Sequence, residues 1–237
     1  ARMRGDTETA LELESSAMSE MAPDERAKAT ISTLVRLHDD RLPGRVPESL
    51  SSELILLADS IDLSGLHESQ RAAGNLSIEL VRHSIALDSG DLAEAARART
   101  LIESSIGEDD NAIALLDLRS SLSSLTEGST SPEAINAARK AIESCEGIYR
   151  IRLIHVTLES MDEYPDWLVE AHSSIIEFRL RDDLPMQRRL CAQRWYWRGV
   201  LEPSNRLSHW NEAVSRFRMA ECSSAANQLI SKIAQEI

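Results

Sequence analysis

The sequence predicts an all-α chain, with helices folded back on one another as antiparallel pairs and the pairs stacked side by side. Three observations predict it. Apolar residues recur at three- and four-residue spacing along most of the 237 positions, the period of a helix buried on one face. The 9 glycines and 7 prolines fall mostly between these periodic stretches, where they turn the chain. Alternating runs of β-branched residues, the mark of half-buried strands, are missing. Hydrophobic residues make up 42% of the chain, enough for a core, and charged residues 27%.

The elements follow in order. Gly5-Asp6 turns the chain into a helix over 5–22 with small residues Ala10 and Ala17 seven apart. Two helices can approach closely only where one presents a small side chain, and seven residues return to the same face after two turns. The first full pair spans about 24–60, its second helix carrying Leu50, Leu54 and Leu57 on one face. The next spans 68–105. Its first helix places Leu76, Leu80 and Leu87 beside Ile78, Val81 and Ile85, and Gly90-Asp91 opens the second helix, through Ala95 to Ile102. A third pair spans 110–145, with Ser131 as N-cap and Pro132 at the first helical position of its second helix. The fourth, 148–179, contains Pro165-Asp166-Trp167, Ala171 and Phe178; the fifth, 187–221, sets Trp195 and Gly199 against Trp210, Ala213, Phe217 and Ala220. A last helix, 224–236, has Ala226, Leu229 and Ile233 on one side and Asn227, Ser231 and Gln235 on the other, as a capping helix needs.

This cadence of Gly-Asp turns and of large and small residues in register resembles the tetratricopeptide repeat. Anchors at Ala10, Leu50, Ala95, Ala134, Ala171 and Ala213 stand 40, 45, 39, 37 and 42 residues apart, longer than the family's ~34. The resemblance implies a right-handed α-solenoid of about 11–12 helices in one domain over 1–237. The chain enters at a second helix, so it reads as a fragment of a longer protein, with the helix over 5–22 as half a repeat.

Charge divides the chain. Residues 1–178 carry 33 acidic and 16 basic side chains, whereas 179–218 carry nine Arg against Asp182, Asp183, Glu202 and Glu212. The acidic bulk argues against general nucleic-acid binding, which needs cations for phosphate. Cys145, Cys191 and Cys222 lack metal or redox spacing and are expected to stay reduced. No stretch approaches the ~18 apolar residues of a membrane span, and the first thirty residues lack a signal core. The chain therefore reads as cytoplasmic.

Sites of catalysis or metal binding are weakly indicated. His38-Asp39-Asp40 resembles the His-Asp pair of metal-dependent phosphohydrolases, but His38 is the first histidine and that family needs one upstream. Glu79 with His83, and His155 with Glu159, are four apart and imply no third ligand. Asp109-Asp110 and Asp182-Asp183 begin helices or sit in loops, where acids favour the helix dipole. Arg4-Gly5-Asp6 matches an adhesion tripeptide but is accounted for by the turn. No enzyme, cofactor or metal is expected.

All nine aromatic residues lie between Tyr149 and Phe217, interleaved with Arg over 187–198. Trp195 and Trp210 are expected in the core, leaving Tyr196 or Trp197 on the outer face, since consecutive helix positions cannot all point inward. By the family resemblance, first helices line a groove that takes a peptide or helix. The expected groove contacts are Arg152, His155, Arg188, Arg194, Trp197 and Arg198, suited to an acidic segment of another protein or of another domain of the same protein. The rival readings are a nucleic-acid binder using the Arg/Trp end and an all-α metal-dependent enzyme.

Overall fold

The computed structural model describes residues 20–44, 46–123, 131–161, 163–181 and 184–236. The expected helix over 5–22 lies almost wholly outside them, as do Asp182 and Asp183. The described residues form eleven α-helices and no strand. They are α1 (Pro23–Asp39), α2 (Glu48–Asp59), α3 (Glu68–Ser89), α4 (Leu92–Ile106), α5 (Asp110–Ser123) and α6 (Pro132–Ser144). There follow α7 (Gly147–Glu159), α8 (Asp166–Ser174), α9 (Pro185–Leu201), α10 (Arg206–Met219) and α11 (Ser223–Glu236). None of them is long and apolar enough to cross a membrane.

Local chemistry sets the boundaries. α1 starts on Pro23, followed by Asp24 and Glu25, and ends with Arg36 and His38, so both ends complement the helix dipole. Gly90 closes α3 in the left-handed conformation, φ 77°, which lets Asp91 N–H reach the Ala86 carbonyl at 2.9 Å. Asp91 then caps α4 by accepting the Glu94 N–H at 3.0 Å. At α6, Ser131 is the N-cap residue, but its hydroxyl donates to the Glu133 carboxylate and caps no backbone group.

The chain divides into two compact units, Ala1–Arg41 with Arg45–Glu108, and Leu42–Gly44 with Asp109–Ile237. Helical periodicity is the same on both sides of residue 108, so it cannot reveal where one core ends. In the first unit α1 packs on α2 and α3, α2 on α3, and α3 on α4. Leu34, Val46, Leu54, Ala58, Ile78, Val81 and Ile85 form its core. His38 stitches α1 to α3 through Ser84 Oγ at 3.0 Å and faces Asp39 at 2.9 Å.

In the second unit α5 packs on α6 and α7, α6 on α7, α7 on α8 and α9, α8 on α9, α9 on α10, and α10 on α11. Its core runs from Leu118 and Leu122 through Ile142, Ile151 and Leu158 to Trp210, Phe217 and Leu229. α9 and α10 approach closely at Gly199, where a Cβ would overlap the Trp210 indole. Trp210 Nε1 donates to the Tyr196 carbonyl at 3.2 Å, completing this α9–α10 contact. The three cysteines are free and buried.

Candidate interaction face on the α9–α10 hairpin

Helix α9 is the centre of the second unit, covered by α7, α8 and α10. Residues 190–194, Tyr196, Trp197 and Gly199 are all buried. This reverses the expected assignment of its aromatic side chains. Trp197 is 4% exposed and packs edge-on against Tyr164 and Tyr196, with ring centroids 6.2 Å and 5.2 Å away. Trp195 is the half-buried one. A helix surrounded by other helices buries most of its circumference, so the rule that inner and outer faces alternate does not apply to it.

Two further expected groove residues are interior. Arg194 is 7% exposed, and its Nη1 donates to the carbonyls of Ile175 at 2.7 Å and Phe178 at 2.8 Å. These lie just past the end of α8, where helix carbonyls lack intrahelical partners and a cation complements the dipole. Arg194 is thus a clamp on the α8 terminus. His155, on α7, and His172, on α8, are 3% and 2% exposed, their ring centroids 6.3 Å apart. Burial, and then the charge of His172, lowers the His155 pKa to about 3; burial chiefly lowers that of His172 to about 4. Both rings are neutral core groups near pH 7.

Arg152, Arg188 and Arg198 are half-buried and reach the surface. Arg188 and Trp195 stand seven apart on α9 and share a face. The Arg198 guanidinium lies over the Trp195 ring, 5.3 Å from its centroid, and the His209 ring sits 5.6 Å from the same indole. Glu202 ties the two partners of the indole together, accepting from Arg198 Nε at 3.0 Å and facing His209 Nε2 at 2.9 Å. Burial raises the Glu202 pKa, but the hydrogen bonds from His209 and Arg198 outweigh it and hold the carboxyl below its usual range. The result is a half-buried indole fixed on two sides, by the Arg198 guanidinium and the His209 ring. Sequence reasoning missed Trp195, Glu202 and His209 as a group. Only the i,i+7 spacing of Glu202 and His209 across the Pro203 turn is visible in the sequence.

The remaining sequence candidates have structural roles. Asp109 Oδ1 accepts the N–H groups of Asn111 and Ala112, each at 3.1 Å, capping α5, while Oδ2 accepts the Tyr149 hydroxyl at 3.2 Å. Glu79 pairs with Arg97 at 3.1 Å, whereas His83 is buried. Among the described residues no three His, Cys, Asp or Glu side chains are grouped so as to hold a metal. Comparison of the chain with protein-family models, with curated proteins and with solved structures finds no match.

Proposed function

We propose that this chain is a helical scaffold that holds a carboxylate-bearing segment of another protein against the α9–α10 face. The observation that carries this reading is the Trp195–Arg198–His209–Glu202 cluster. Trp and Arg dominate the energetics of protein interfaces, and a half-exposed indole already held in place loses little conformational freedom on binding. The surrounding segment, 179–218, holds nine Arg against four acids in a chain of net charge −13, so this is where an acidic partner meets attraction. The packing of α5 on α7 and α7 on α9, in addition to sequence neighbours, supports a stacked-pair, tetratricopeptide-like architecture.

The test is binding of an arrayed peptide library graded by acidic content, with labelled single-stranded RNA alongside. Acidic peptides are expected to bind, more weakly as salt rises, and to lose roughly tenfold or more in affinity in Trp195→Ala. RNA binding that is lost in Trp195→Ala, with no peptide retained, supports the nucleic-acid reading instead. Peptide binding unaffected by Trp195→Ala removes this face from the site.

A further inference from the structure

A second feature of the same unit shares no residue with the Trp195 face. Helices α6, α7 and α8 line an open pocket of about 220 Å3. That is below the ~300 Å3 at which drug-sized sites begin, so it suits a small metabolite or a single side chain. α8 contributes Trp167, Glu170, Ala171 and Ser174, a single stripe at helical spacing, and Ile142 of α6 is buried in the wall. Trp167 and Ala171 supply its apolar surface beside the polar Glu170 and Ser174.

Its charges are unevenly satisfied. Arg139 and Glu143 line the pocket but pair with each other, Nε to Oε1 at 2.9 Å. Arg150, from α7, keeps a buried Nε–H with no acceptor. Glu170, on α8, is exposed. The two carry opposite charges and line one small pocket, yet they form no ion pair with each other. A ligand bearing only an anion would pair with the Arg150 guanidinium and face Glu170 with like charge. A ligand bearing only a cation would do the reverse.

We propose that this pocket binds a free α-amino acid with an apolar side chain. Its carboxylate accepts from the Arg150 guanidinium, its ammonium donates to the Glu170 carboxylate, and its side chain lies against Trp167, Ile142 and Ala171. Such a ligand ties α7 to α8, so binding stiffens the second unit independently of any protein held on the α9–α10 face.

Calorimetric titration of the whole chain with L-leucine, leucinamide and N-acetyl-leucine tests this directly. Leucine is expected to bind saturably at one site, and each analogue, lacking one charge, about tenfold or more weaker, the scale of a lost charge-assisted hydrogen bond. Glu170→Gln, a change at an exposed position, is expected to abolish the preference for leucine over N-acetyl-leucine. Arg150→Gln is expected to abolish the preference over leucinamide. The proposal is overturned if leucine, methionine and phenylalanine all give no saturable heat at millimolar concentration. It is equally overturned if the analogues bind as well as leucine, or if Glu170→Gln leaves the discrimination intact. Should Arg150→Gln fail to fold, the Glu170→Gln arm decides alone.

Discussion

Trp195 and Trp197 stand two positions apart on α9, about 200° around the helix, and their surroundings make them energetically unlike. Trp197 is enclosed by Tyr164 and Tyr196, and Trp210 by Gly199, Tyr196 and the Lys232 ammonium. Truncating either to Ala is expected to cost about 3–5 kcal/mol, the range for buried aromatic side chains. Trp195→Ala, at the half-buried site, is expected to cost clearly less. Denaturant midpoints of the three variants check this ordering; a Trp197→Ala protein as stable as the parent would put that side chain back on the surface. His155 and His172 make a second residue-scale prediction. Their folded pKa values, about 3 and about 4, lie below the ordinary 6.5, so the unfolded chain takes up these protons first. Above about pH 6.5 they impose no penalty. As the pH falls below that, stability declines by up to about 1.4 kcal/mol per pH unit for each histidine, until the folded groups themselves titrate near pH 4 and pH 3. Glu94 works lower in the range. The hydrogen bond from the Arg97 guanidinium holds its carboxyl below the usual carboxylate range, so its contribution is lost only as the pH falls through that depressed value. Unfolding midpoints taken from pH 7 to pH 4 should show the decline, and His155→Gln with His172→Gln should flatten it. A slope unchanged by both substitutions would falsify the assignment.

At the scale of elements, α8 depends most on a single side chain outside itself. It is nine residues long, too short to be stable alone in water, and its N-cap residue, Pro165, offers no side-chain cap. Its far end is closed by Arg194, whose two hydrogen bonds to the Ile175 and Phe178 carbonyls cross from α9. Arg194→Ala removes bonds from a charged donor, leaving the Phe178 carbonyl to find water and the Ile175 carbonyl with the Phe178 N–H alone. The expected loss is about 3 kcal/mol, with faster amide exchange concentrated over 166–178. Uniform exchange across the second unit would show that the clamp acts on the whole core and not on α8. The turn from α3 to α4 shows the contrasting case, in which Gly90 and Asp91 contain within two residues everything the boundary needs. Such a boundary is legible in sequence because its determinants are adjacent. The Arg194 clamp reads in sequence as a groove contact because its partners stand 16 and 19 residues away and only the fold brings them close.

For the whole molecule, far-ultraviolet circular dichroism is expected to be helix-dominated, and a strand fraction near the globular average of about a quarter would contradict the fold. What the sequence by itself determined was the all-α class and the placement of the helices, from α1 at residues 23–39 to α11 at 223–236. Those follow from apolar periodicity, glycine turns and proline starts, which act over a few residues and leave their mark on adjacent positions. It also pointed to the Gly199–Trp210 approach, since large and small residues in register carry their own geometry. Only the tertiary structure decided which residues of α9 are interior, because burial there depends on three other helices and not on the periodicity of one. The same holds for the meeting of His155 with His172, the exposure of Trp195 in place of Trp197, the pairing left undone between Arg150 and Glu170, and the division of the chain into two units. Each is a relation between segments distant in the chain, set by how whole helices pack, and local pattern is blind to it.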